Sequence, residues 1–264
     1  MIGLNRLIRG ENLKLYSRRS TRWMIAALLA AGLLAAVFDR FYTPFVRNFW
    51  DAVGSQSLVA FLVTVFTIVV AGGIVANEYT WGTIKLLLIR PVGRGKVLFA
   101  KYLTVILFII TMALLLLLTA LVCNALLALV KAGPVPPLEG PVGKGALLTS
   151  LGGVVYLYLL HCIEALAFGT IAFMLSALSQ SSAIATGVTF FALFLGPEVT
   201  RLIFPQSIAR YVLFSHTDLT GFIKVNPLRP EASGLWFSLL IVAGYLFVFY
   251  ALSWLVFKRR DILK

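Results

Sequence analysis

Charge is what this sequence has least of. Only 12% of its 264 residues are Asp, Glu, Lys or Arg, about half the share in a soluble domain. So few ionic side chains cannot cover a water-facing globule, which sets a soluble fold aside. Cysteine is nearly missing too. Cys123 and Cys162 both fall inside apolar stretches, where a structural disulfide has no place and no redox compartment can be read. A G-x-x-x-x-G-K-[ST] sequence is absent. Gly93-Arg94-Gly95-Lys96 and Gly143-Lys144-Gly145 hold the residue types without the spacing that folds backbone N–H groups around phosphates. The chain is therefore not expected to hydrolyse ATP unaided.

Apolar residues fill the space that charge leaves. They make up 60% of the chain, mean hydropathy is +0.96, and the solvent implied is the bilayer. The 23 basic residues exceed the 10 acidic ones by 13. In a soluble protein that excess would suggest nucleic acid. Here its placement beside apolar segments reads as membrane orientation and attraction to anionic lipid, with no nucleic-acid partner.

A spanning helix needs roughly 20 predominantly apolar residues. Six stretches free of Asp, Glu, Lys and Arg, apart from Glu164, meet or approach that length: about 23–38, 58–76, 102–130, 151–175, 183–196 and 235–257. The basic N-terminus before the first could pass for a secretory signal, but five further spans make an uncleaved helix the simpler account. With the N-terminus inside, the inner segments carry 15 Lys and Arg and the outer ones eight, while six of the ten acidic residues lie outside. Both termini are expected to be cytoplasmic, in a multi-pass protein of the bacterial plasma membrane. Gly196-Pro197 is expected to end the fifth span. The outer loop 197–234 that follows suits short re-entrant or in-plane helices, with an ordinary amphiphilic loop as the alternative.

Two inner segments look like machinery. In residues 1–22, Leu4, Leu7, Ile8 and Leu15 share a helical face and Arg6, Arg9, Asn12 and Lys14 lie elsewhere, as in a helix lying in the headgroup plane. Glu11 intrudes on the apolar face. The loop 77–101 reads Asn77-Glu78-Tyr79-Thr80-Trp81-Gly82-Thr83-Ile84-Lys85-Leu86-Leu87-Leu88-Ile89-Arg90-Pro91 and continues to Lys101. Thr80 or Thr83 can cap a short helix there, and Pro91 stops it. Such an element is too short to span and too apolar to float, and its natural use is to press into a partner's groove.

The run Glu78, Gly82 to Leu87, Arg90 to Val92, Arg94 and Lys101 resembles the loop between the second and third helices of ABC-2-type permeases, the membrane subunits of one class of ATP-binding-cassette exporter. The resemblance implies an all-α membrane protein, a six-transmembrane-helix bundle forming a single permease domain over 1–264, with an N-terminal in-plane helix and a cytoplasmic coupling helix. It implies that Glu78, Gly82, Thr83, Lys85, Leu86, Leu87, Arg90 and Pro91 couple to separate ABC ATPase subunits, where ATP and Mg belong; this chain itself takes no cofactor. It further implies a second permease copy or homologue across the pathway. The turn holding Ser179, Gln180 and Ser181 would be a second inner contact. The transported substrate stays unidentified.

Glu164 is the sole carboxylate within a span, and His161 three residues earlier shares its helical face. A charge at the bilayer centre costs roughly 2.5–3.5 kcal/mol on insertion scales, so the pair should face the bundle or a wet cavity. It would either hold helices together or touch a substrate, and the second use supports an alternative function, an ATP-independent ion-coupled carrier or channel. An intramembrane hydrolase has less behind it, because this acid–base pair comes with no Ser/His dyad or zinc motif. A metal site of His161, Cys162 and Cys123 fails because adjacent helical residues diverge by about 100°. Small residues at Ala27, Ala31 and Ala35, at Gly72 and Ala76, and at Ala165 and Gly169 are expected to carry helix packing.

Overall fold

The computed structural model describes residues 4–42, 49–82, 93–130, 150–220 and 234–259. The described residues form helices α1 (Leu4–Ser17), α2 (Arg19–Tyr42), α3 (Phe49–Ser55), α4 (Ser57–Thr80), α5 (Arg94–Val130), α6 (Leu151–Ser179), α7 (Ser182–Ile203), α8 (Gln206–Ala209) and α9 (Leu235–Arg259), with a 3-10 turn at Leu213–His216 and no strand among them. Six of these, α2, α4, α5, α6, α7 and α9, are long and apolar enough to cross a membrane. They correspond one to one with the six charge-free stretches.

Every span begins earlier or ends later than its charge-free stretch; α6, for one, gains four residues at its C-terminal end. Charge marks where a helix leaves hydrocarbon, whereas backbone hydrogen bonding carries the helix on into the headgroups. At 1.5 Å per residue the 37 residues of α5 reach about 55 Å, well beyond a hydrocarbon core of about 30 Å.

The fifth span departs most from expectation. Gly196-Pro197 does not end it: α7 runs on to Ile203 with Pro197 inside. Pro197 has no N–H to give the Leu193 carbonyl, and membrane helices tolerate that loss because neighbouring helices and local backbone adjustments re-satisfy the freed group. Gly196 serves packing. A Cβ there would lie 2.6 Å from the Phe214 ring, so its bare backbone makes room for the segment that follows. The outer loop thus starts at Phe204, and it does contain short helical pieces, α8 and the 3-10 turn. Helix α3 was not foreseen. It sits at the C-terminal end of α2, where the Ser55 hydroxyl meets the Asp39 carboxylate and the Ala52 carbonyl.

The core is built on α4 and α6. Thr67 faces Gly169, and the Ala76 N–H donates to Ser176 Oγ at 2.9 Å. Residue numbers rise together on the two helices, so they run parallel and in contact over most of their length. A Cβ on Gly169 would come within 2.7 Å of Thr67 Cγ2, and one on Gly72 within 2.6 Å of Thr186 Cγ2, so glycine sets both separations. The expected stripes on α4 and α6 are thus in use, and that on α2 in part, for Ala31 and Ala35 pack against the core. Ala27 is exposed, and beside the other two α2 buries Leu28, Gly32 and Ala36. Lipid is as apolar as alanine, so shape decides the packed face. Tyr102 of α5 ties three helices: its hydroxyl donates to Thr170 Oγ1 at 2.9 Å, and its ring meets Phe173 of α6 and Tyr250 of α9. In α4 65% of the apolar window is buried against 11% in α9, so α4 is the centre and α9 a peripheral helix whose Trp236, Leu240 and Phe247 face outward.

Candidate functional site

Four charged side chains meet where α1, α4 and α5 converge. Lys101 Nζ lies 2.8 Å from Glu11 Oε2 and 3.1 Å from Glu78 Oε1, and Lys14 Nζ pairs with the same Glu78 oxygen. The Lys101 and Glu78 side chains are buried, Glu11 is mostly so, and Lys14 reaches the surface. Among the described residues two cations face two carboxylates, and such pairing is the condition under which buried charge is tolerated. Glu78 and Lys101 flank the loop 81–93, so their contact closes its base, and α1 is fastened to that base through Glu11 and Lys14. The anomaly at Glu11 in the sequence has its reason here: the carboxylate interrupts the apolar face to reach Lys101.

Backbone and aromatic contacts reinforce the same point. α4 stops at Trp81, whose N–H donates to the Asn77 carbonyl at 3.0 Å, and Gly82 then takes φ +66°. Glycine adopts that left-handed conformation without a Cβ penalty, which makes it the natural residue after a helix end. Arg18, at the elbow between α1 and α2, stacks its guanidinium 5.3 Å from the Trp81 ring. Of the residues assigned to coupling, Glu78 and Gly82 thus sit at the loop base, while Thr83, Lys85, Leu86, Leu87, Arg90 and Pro91 lie outside the described residues. In the second inner turn Gln180 is exposed with φ 57°, Ser179 Oγ donates to the Leu175 carbonyl at 2.7 Å, and Ser181 caps α7 by accepting from the Ile184 N–H. Ser179 and Ser181 shape the turn, and Gln180 is the side chain it presents.

His161 and Glu164 come together as their spacing requires, with Nδ1 3.3 Å from Oε2 and both side chains mostly enclosed. The outer segment touches α6 on both sides of this pair. Phe214 stacks on Phe168 at 6.4 Å, and Leu219 packs with Leu157 and Leu160. His216 anchors that segment and was missed in the sequence. Its Nε2 lies 2.8 Å from the Arg210 carbonyl and its Nδ1 2.8 Å from Ser238 Oγ on α9. A carbonyl only accepts, so Nε2–H donates and the neutral ring's Nδ1 receives the Ser238 hydroxyl. A single histidine among exposed and buried apolar residues gives no periodic signal that could have marked it. Among the described residues, no three His, Cys, Asp or Glu side chains gather as a metal site would need.

Residues 25–263 match the family described as a protein of unknown function, DUF2705. The chain belongs to the DUF2705 family. That match begins within α2, so α1 with Glu11 and Lys14 precedes it. The chain is 37% identical to the uncharacterized protein YhcI of Bacillus subtilis (strain 168) over 220 residues, 81% of this chain and 69% of that protein. It is 27% identical to the uncharacterized membrane protein YdbK of the same organism over 262 residues, 95% of this chain and 99% of that one. Six apolar helices and a relative named a membrane protein that aligns over nearly its whole length make this DUF2705 chain a multi-pass membrane protein.

Proposed function

We propose that the chain is the membrane-spanning subunit of an ABC-2-type exporter, paired with a second copy or homologue and driven by separate ATPase subunits through the loop 77–101, with both termini cytoplasmic. The observation that carries this reading is the buried cluster of Glu11, Lys14, Glu78 and Lys101. A loop that receives a push must have a base that moves as one body, and this cluster joins the end of α4, the start of α5 and the helix α1 at one point. ATP-driven closure of the partner subunits would displace the loop, and the cluster would pass the displacement to three helices together.

The test is affinity purification of the tagged chain from its native membrane, with identification of what accompanies it. An ATPase subunit is expected with the wild type and is expected to be lost from Leu86→Asp/Leu87→Asp, with membrane insertion unchanged. Absence of any ATPase, or an equal yield with both forms, would sink the proposal. The His161–Glu164 contact of 3.3 Å favours one second reading, ion-coupled transport without ATP. It requires the chain alone in liposomes to move a substrate down an imposed ion gradient, and Glu164→Gln to abolish that movement.

A further inference from the structure

α1 carries a groove on a face that the charge cluster does not use. A cavity of about 430 Å³ opens along Asn5, Ile8, Arg9, Asn12, Leu13 and Tyr16. These positions recur at three- and four-residue steps and so form one continuous stripe. Leu15 is buried in the core, and Glu11 and Lys14 turn to the cluster. The stripe is left as a separate surface.

Its chemistry is mixed in a particular way. Ile8, Leu13 and the Tyr16 ring make an apolar floor, and the ring is steadied by Phe108 of α5 at 6.5 Å. Asn5 and Arg9 stand exposed at the rim. Among the described residues, the Tyr16 hydroxyl and the Asn12 side-chain oxygen are shielded from solvent with no hydrogen-bond partner. The hydroxyl is an unused donor, and the Asn12 amide can turn to present another. Arg6, Arg9, Arg19 and Arg22 are all exposed along α1 and the start of α2, while the carboxylate of α1, Glu11, is spent on Lys101. Of these Arg9 lines the groove itself, so the groove presents one guanidinium and polar groups beside an apolar floor, on a helix and elbow that are basic as a whole. Leu13 in the groove is 65% exposed, an apolar surface that a water-soluble anion would leave unused.

We propose that an anionic phospholipid of the inner leaflet occupies this groove, its phosphate held by Arg9 and the Tyr16 hydroxyl and its acyl stem laid along Ile8, Leu13 and the Tyr16 ring. This rests on α1 lying in the headgroup plane and is independent of any ATPase. Charge-assisted hydrogen bonds from a guanidinium to phosphate give the selectivity for an anionic lipid, and an in-plane basic helix places the groove at the right depth.

The test is native mass spectrometry of the full chain, delipidated in detergent and titrated with dioleoyl phosphatidylglycerol or dioleoyl phosphatidylcholine. One phosphatidylglycerol should bind about tenfold more tightly than phosphatidylcholine. Arg9→Gln and Tyr16→Phe should each remove most of that preference, and Arg22→Gln should leave it. Asn5→Trp alters an exposed rim position and should block the groove, which keeps a readout if Tyr16→Phe disturbs the packing on Phe108. Retention of phosphatidylglycerol by Arg9→Gln and Asn5→Trp at the wild-type level would overturn the proposal, as would equal binding of the two lipids. Displacement of the lipid by inorganic phosphate alone would assign the site to a soluble anion and overturn it as well. A failure to find an ATPase partner would leave this assay unchanged, so the two proposals stand or fall separately.

Discussion

Lys101 is the residue on which the junction of α1, α4 and α5 depends, because it touches a carboxylate from each of two other helices while almost wholly out of water. Replacing it by Met removes the buried cation that both Glu11 and Glu78 meet. Breaking a buried pair in this way costs about 3–5 kcal/mol, so Lys101→Met should lower the thermal unfolding midpoint in detergent sharply, and a midpoint equal to wild type would show the cluster to be dispensable. His216 carries a comparable load on the outer side. His216→Leu removes the partner of Ser238, which is fully buried, and leaves that hydroxyl unsatisfied at about 1–3 kcal/mol. The loss should be read as faster proteolysis between Phe204 and Thr220, with the spans themselves unaffected. Glu11 and His161 with Glu164 were legible as anomalies in an otherwise apolar sequence, since an ionisable side chain among hydrocarbon residues needs a partner. The identity of that partner was legible only for His161 and Glu164, where both ends lie on one helix. Glu11 finds Lys101 ninety residues away, a distance no local spacing encodes.

Among the elements, the six spans could be read because absence of charge over 20 residues has one physical use. Which face of each span packs inward could not. Lipid-facing and core-facing side chains are both apolar, so the periodicity that marks a soluble helix disappears, and small-residue spacing found Ala31 and Ala35 at the core while giving Ala27, which is exposed, the same role. Pro197 misled for a related reason: the rule that proline ends helices assumes water as the competitor for freed carbonyls, and a membrane supplies none. The contact between α4 and α6 offers a direct check. Gly169→Ala should cost about 1–3 kcal/mol by overpacking against Thr67. Thr67→Ala added to it should recover part of the loss, because the two sites share one contact and cannot behave additively. Strict additivity in unfolding measurements would mean that the helices are held apart by something else.

For the whole molecule, the asymmetry of Lys and Arg predicts which ends of the helices face the cytoplasm. Gly10 and Gly234 each have open space where a Cβ would stand, so a cysteine fits at either without strain once Cys123 and Cys162 are replaced by Ala. In right-side-out vesicles a membrane-impermeant maleimide should label Gly234→Cys and spare Gly10→Cys. The reverse pattern would invert the topology and move the cluster of Glu11, Lys14, Glu78 and Lys101 to the outside, away from any cytoplasmic ATPase. Neighbouring helices joined by short turns normally run in opposite directions, but α4 and α6 run side by side in the same one, with Ala76 beside Ser176 near their inner ends. Two turns that are a hundred residues apart along the chain therefore surface as adjacent knuckles. A body resting on the bend at Gly82 finds Gln180 within its footprint, so a single visitor can feel both without straddling the molecule.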